Sequence, residues 1–277
     1  MQQGLQSLGW IDGRNITIDY RWASGNPDKA LAFARELIAL APDVIVSSSN
    51  QVTAIVQRET STIPVVFVYV GDPVGSGFAG SLAKPDGNLT GFANLENSAG
   101  GKWLEFCCEI APGVKRIGFL FHPDAPPNVG FYRAAEAAAA SLGREVVPLP
   151  VHNPIEIERG ISDIAKSNVG LIVAPHAVTV GNRALIVGLA SQYRLPAVYS
   201  DRDFAESGGL VSFGTNIVDL FQRSGAYIDR VLKGAKPADL PVQLPTKFEL
   251  VVNLRTAREL SLNVPAIMLM RADEVIE

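Results

Sequence analysis

The 277-residue chain has two cysteines, and they are adjacent, Cys107-Cys108. Neighbouring cysteines pair only with strained geometry, so no disulfide framework is expected. Within Trp103–Ile110 they read as small apolar side chains of a helix. No His or Cys lies at a spacing that would complete a metal site. Basic clusters are missing too. Lys115-Arg116 is a single pair, the net charge is -4 and the pI about 5.5, so nothing offers nucleic acid an electrostatic footprint. No apolar run reaches the roughly 18 residues of a membrane-spanning helix. The first residues lack the basic, apolar and cleavage segments of a signal peptide. There is no GxGxxG fingerprint, no Walker lysine and no GxSxG elbow. The reading is therefore of a chain without catalytic residues, cofactor or metal.

What is present is ordinary globular composition, 47% hydrophobic and 19% charged. The length allows two lobes of roughly 100–150 residues. Met1–Trp10 reads as the end of a helix closed at Gly9. Asn15–Tyr20 alternates at period two, a half-exposed strand. A helix is expected over 27–40, opened by Asn26-Pro27. A strand at Asp43–Val46, a helix from Ser49 or Asn50 to Thr60 and a strand at Pro64–Val70 follow. After residue 95 the rhythm restarts: helices at about 98–110, 129–142, 154–167 and 179–192, with strands at 116–121, 145–149, 170–173 and 197–199. This βα repetition predicts two doubly wound parallel-sheet lobes. Residues 209–214 and 237–252 break the rhythm and are candidates for strands passing between lobes, the means by which a cleft closes.

In such sheets ligands bind beyond the carboxyl ends of the strands, so the residues after each apolar run are the candidates. Ser47, Ser48, Ser49 and Asn50 lead into a helix and offer hydroxyls and free N–H groups to an anion; the alternative is plain N-capping by one of them. Gly71 permits close approach to the backbone. Asp72 either binds an ammonium or caps its own turn. His122 and Asn128, then His176, then Ser200 and Asp201, close successive strands of the second lobe, with Asp201 facing either a ligand amine or Arg202 or Arg183. His152 reads as simply exposed in a loop.

The string Val68–Gly77, then Ser81–Gly91, Gly208–Gly214, Leu240–Asn253 and Arg271–Ile276 resemble the ABC transporter substrate-binding proteins, the family that includes the tryptophan/tyrosine-binding lipoproteins. The likeness runs through the chain in order. It implies a type I periplasmic-binding fold, a small-molecule ligand (an amino acid, aromatic or branched) enclosed between two lobes, delivery to an ABC permease, no enzymatic activity, a monomer, and a periplasmic or membrane-anchored extracytoplasmic location. By analogy within that fold, Ser48 and its neighbours would hold a carboxylate and Asp201 or Asp72 the ammonium. Family members place an export signal and a first strand before the helix that begins here at Met1, so the first strand of lobe 1 is expected to be missing. The expected lobes are 1–95 with 214–243 and 96–213 with 244–277, hinged near 94–97, 209–214 and 240–248. A second reading, the ligand-sensing domain of an intracellular regulator, shares the fold but finds no helix-turn-helix or basic segment. Tyr69, Phe92, Phe121, Tyr199 and Phe213 either stack on a ligand ring or pack in core and hinge.

Overall fold

The computed structural model describes residues 1–277, which divide into two compact units, Met1–Leu95 with Asn216–Lys247 and Glu96–Thr215 with Phe248–Glu277. No helix is long and apolar enough to cross a membrane.

Unit 1 opens with α1 (Gln2–Gln6). Gly9, at φ +90, ends it and lets Trp10 N donate to Leu5 O at 3.0 Å, a left-handed helix closure. Residues 15–20 do not form the expected strand. Only an isolated bridge, Asp12↔Ile16, is present. A strand needs a neighbour's backbone, and here local groups serve instead: Asp12 Oδ1 accepts from Ile18 N at 3.1 Å and Ile16 O from Gly13 N at 2.8 Å. Next comes α2 (Pro27–Ala39), started by Asn26, whose side chain accepts from Lys29 N. Then follow β1 (Ile45–Ser48), α3 (Asn50–Glu59), β2 (Val65–Val70) and β3 (Leu89–Ala93). The three strands are parallel, in the order β1-β2-β3. Ile45, Val65 and Phe67 enter one core cluster, with Ala34 and Val56; Val66, Val68 and Phe92 enter another, with Leu5, Leu220, Tyr227 and Ile228. The sheet is thus covered on both faces, as a parallel sheet must be.

Unit 2 runs through α4 (Ala99–Ile110), β4 (Arg116–Phe121), α5 (Pro126–Ala139), β5 (Glu145–Pro150), α6 (Pro154–Ile164), β6 (Val169–Val173), α7 (Ala177–Gly181), α8 (Arg183–Gln192), β7 (Ala197–Tyr199), α9 (Arg202–Glu206) and β8 (Val211–Thr215). The chain returns to unit 1 for α10 (Ile217–Leu232), then re-enters unit 2 with β9 (Phe248–Asn253), α11 (Leu254–Glu259), α12 (Ala266–Arg271) and β10 (Glu274–Ile276). The seven strands order as β10-β9-β8-β7-β6-β4-β5, all parallel except β8 against β9. That antiparallel ladder runs from Val211↔Val252 to Thr215↔Phe248. The chain passes between the units at 95/96, 215/216 and 247/248. The helix expected over 179–192 is two helices, because Asn182 Nδ2 donates to Val178 O at 2.8 Å and Asn182 leaves helical geometry at φ −108, ψ 26. Trp103 anchors the α4 face: buried, it packs on Phe119 and Phe131 and donates from Nε1 to Phe213 O at 2.7 Å. The expected α/β class with two parallel sheets holds, with β3, α9, α12 and β10 added.

The open edge of β5 is defended by its sequence. Glu145 N donates to Lys115 O and Val151 N to Phe121 O. In a parallel ladder alternate residues face the same neighbour, so the backbone of residues 146, 148 and 150 points away from β4. Positions 148 and 150 are both proline, which removes the outward N–H donors that would recruit another strand. Replacing Pro148 and Pro150 together by valine restores those donors beside Val146 and Val147. The double variant is expected to retain its far-UV spectrum but to self-associate with time in light scattering; a variant that stays monodisperse at high concentration would remove this role.

Candidate functional site

Both units end their parallel strands in polar loops, and each set of loops is braced by one asparagine. In unit 1 Asn50, the first residue of α3, donates from Nδ2 to Gly71 O at 2.7 Å and Ser76 Oγ at 2.9 Å, while its Oδ1 accepts from Gly71 N at 2.9 Å. One side chain thereby fixes the β2 end against the β1 end. Ser47 is buried and shares a 2.9 Å hydrogen bond with Thr53 Oγ1. Ser49 occupies the N-cap of α3, its hydroxyl accepting a long 3.5 Å bond from Val52 N. Asp72 closes its own turn, with Oδ1 accepting from Gly75 N at 2.9 Å. Ser48 differs: it is exposed and its hydroxyl makes no hydrogen bond.

In unit 2 the brace is Asn128, buried on α5. Its Oδ1 accepts from His122 N at 3.0 Å and its Nδ2 donates to Pro175 O at 2.9 Å, tying the β4 end to the β6 end. His176 caps α7, Nδ1 accepting from Val178 N at 3.2 Å, and His176 N donates to Thr179 Oγ1 at 3.0 Å. The brace holds the His122 and His176 rings stacked with centroids 4.1 Å apart. His152 packs edge-on to His122 at 5.0 Å, its Nδ1 3.0 Å from Glu156 Oε2 and its Nε2 3.2 Å from Asp124 Oδ2. The chain's three histidines are therefore one cluster. His152 is exposed as expected, but its place in the stack was missed, since only the adjacency of β5 and β4, Phe121↔Pro150, brings it there.

The cluster is electrostatically graded. Burial, and then the neighbouring His122, push His176 down to about 4. Burial and His152 lower His122, against weaker upward pulls from Asp124 and Glu156. The hydrogen bond to Glu156, with charge from Glu156 and Asp124, raises His152. Beyond β7, Ser200 is buried with its hydroxyl unpartnered, and Asp201 is 9% exposed at the N-cap of α9. Arg202 is engaged by Glu206, Glu249 and Glu274, and Arg183 by Asp203. Of the expected aromatics, Phe92, Phe121 and Tyr199 are core, while Tyr69 and Phe213 are half-buried.

No three His, Cys, Asp or Glu side chains are arranged to hold a metal ion. Cys107 is fully buried and its thiol is pushed up to about 12 by burial, which keeps it protonated and unreactive. A cavity of about 620 Å³ lies in unit 2 beside β5 and α6. Its buried lining residues, Leu149 and Ile164, are apolar, and its charges pair among themselves, as in Lys166–Asp163 at 2.9 Å.

Residues 1–276 match the family model described as ABC transporter substrate binding protein. A tyrosine-binding protein of Clostridioides difficile is 25% identical over 260 residues, covering 94% of this chain and 75% of that protein. A crystal structure of an ABC domain in complex with L-Trp from Streptococcus pneumoniae is 27% identical, with a TM-score of 0.93, and covers 99% of this chain and 92% of that one. A conserved domain protein of Vibrio cholerae is similar to the same extent: 27% identity, TM-score 0.93, and the same coverage of both chains.

The histidine stack predicts an acid-side loss of stability. The folded value of His176, about 4, lies below its ordinary 6.5. The unfolded chain therefore takes up a proton first as pH falls, and stability is lost from about pH 6.5 down to about pH 4. His152, raised, acts in the opposite sense: its contribution is present below 6.5 and lost above it. His176→Asn keeps a capping acceptor and removes the titration. Urea denaturation should show the variant losing on the order of 1 kcal/mol less than wild type between pH 6.5 and 4.5, a figure reduced for partial solvent screening. Parallel pH profiles would show that the stack does not govern acid stability.

Proposed function

The chain belongs to the ABC transporter substrate-binding protein family, and we propose that it binds an amino acid with an aromatic side chain and presents it, unchanged, to an ABC permease outside the cytoplasm. On this reading it is a monomeric carrier rather than an enzyme, and the ligand takes contacts from both units, in the two-lobed enclosure anticipated from the sequence. The observation that carries the reading is the division of labour at the strand ends. Asn50 and Asn128 are occupied in bracing loops, whereas Ser48 and Ser200 keep hydroxyls that no protein group uses. Rigid backbone with a few undedicated polar groups suits recognition by binding rather than turnover. The relatives that bind tyrosine and L-Trp support the ligand class.

The two ends of an amino acid are assigned by charge. The N-terminus of α3, ten residues long, presents N–H donors and the positive end of its dipole beside Ser48; the carboxylate goes there. The corresponding start of α5 is Pro126-Pro127, without N–H groups and without a side-chain cap, so it cannot serve an anion equally. The carboxylate of Asp72 is tied to its own turn; the ammonium is assigned to Asp201, an acidic side chain buried at the end of β7 in unit 2.

L-tryptophan and L-tyrosine should each raise the melting temperature of ligand-stripped protein in a dose-dependent way, by the equivalent of about 2.7 kcal/mol at a hundredfold excess over Kd. The recovered ligand should be chemically unchanged. Stabilisation by sugars or nucleosides with none from amino acids would overturn the reading. In Asp201→Ala the amino-acid shift should vanish while the ligand-free melting temperature stays close to wild type; retained affinity would take Asp201 out of the site. Small-angle scattering should show a smaller radius of gyration with ligand than without, and identical curves would count against enclosure.

A further inference from the structure

Strand β2 carries an irregularity that its sequence hides. Its register with β3 runs Val65↔Leu89 to Val68↔Phe92, then resumes at Val70↔Ala93, leaving Tyr69 unmatched. Tyr69 is a β-bulge residue with φ +63. Side chains alternate along a strand, and the clusters record how the bulge resets that alternation. Val65, Phe67 and Val70 share one face, while Val66 and Val68 share the other, with Tyr69 packed against the latter. A regular strand would have buried the tyrosine beside Phe67. The bulge instead turns it to the face of Val68, whose neighbour in register is Ser48. The ring comes to the same face as that exposed serine at the ends of two adjacent strands, and Tyr69 is the one residue of β2 that is not fully buried.

The arrangement is costly. Left-handed backbone is strained for a non-glycine residue, and Ser49 (φ +78) and Asp72 (φ +42) bear similar strain at the same strand ends. Bulges beside binding sites re-aim a side chain, and strain of this kind persists where a particular side-chain position matters more than stability.

We propose that Tyr69 is the specificity-determining residue of the unit 1 site, its ring forming a wall against the ligand's side chain and selecting an aromatic one, while Ser48 beside it serves the carboxylate. This rests on the function proposed above. An aromatic pair contributes both buried area and favourable ring geometry, which no aliphatic ligand side chain gains in full.

The test compares the affinities of ligand-stripped wild type, Tyr69→Leu, Tyr69→Asn and Tyr69→Phe for L-tryptophan and L-leucine by calorimetry. Leucine keeps apolar bulk without a ring, and asparagine tolerates the left-handed backbone, so the two variants separate loss of the ring from relief of strain. Both should lower the tryptophan-to-leucine affinity ratio by about tenfold, whereas Tyr69→Phe should preserve it. An unchanged ratio in either Tyr69→Leu or Tyr69→Asn, or a collapsed ratio in Tyr69→Phe, would overturn the assignment. Should Tyr69→Leu and Tyr69→Asn not fold, Tyr69→Phe decides alone. Wild-type protein that binds no amino acid would instead overturn the proposed function, so the two failures are distinguishable.

Discussion

Where a chain leaves a parallel strand, its N–H and C=O groups lose their ladder partners together, and a loop that must stay in one place needs replacements. Asparagine, with two donors and an acceptor on one short side chain, supplies them here repeatedly. Asn50 holds Gly71 at both its N–H and its C=O, and Asn128 bridges His122 N and Pro175 O. Asn253 does the same at the end of β9, donating to Ala205 O and accepting from Thr256 N. Asn88, ahead of β3, donates to Ile63 O at 2.7 Å. These amides are largely withdrawn from water, so each bond forms in a medium where leaving it unmade would cost more than making it gains. The strand-end loops are rigid for that reason, and every further feature of the candidate site is positioned by them.

The histidine stack is one such dependent feature. Two imidazoles sit 4.1 Å apart because Asn128 fixes the backbone before each of them. Uncharged, the rings are a packed surface; charged together, they would repel across a short distance with little solvent between. His152, at the rim, is in direct contact with Asp124 and Glu156, whose weaker pull on His122 is outweighed by burial and by His152. Position within the cluster, rather than residue type, thus decides which histidine is basic.

Much of this was legible in the sequence. Period and β-branched runs located most strands, because a strand buried on both faces reads as a continuous apolar run. The Asn26-Pro27 start of α2 was legible because capping is local chemistry. The candidate residues followed from one rule about strand ends. What escaped depends on partners distant in sequence. Asn15–Tyr20 has the alternation of a strand but its backbone is taken by Asp12 and by a turn. Strand β3 carries Gly91, whose added Cβ would lie 1.9 Å from Phe67 O, so a residue that reads as a break is required for two strands to approach. Strand order, which sets His152 beside His122, is not encoded in any local pattern. Nor is the Tyr69 bulge, since period-two reading assumes the register that the bulge breaks.

The two units carry the costs of their polar ends in different forms. In unit 1 the cost is conformational: Ser49, Tyr69 and Asp72 hold left-handed backbone at the ends of β1 and β2. Unit 2 has non-glycine residues of that kind at Arg194 and Ser261, each just after a helix rather than at a strand end. At its strand ends the cost is chiefly desolvation, with His122 Nδ1 and the hydroxyls of Ser200 and Ser212 buried without partners. Strain fixes where a side chain points and is relieved only by unfolding. An unpartnered buried group is relieved whenever a ligand atom reaches it. On that physical difference, strained backbone suits a side chain held as a fixed wall, and a buried unpartnered hydroxyl suits a group that an incoming polar atom can satisfy.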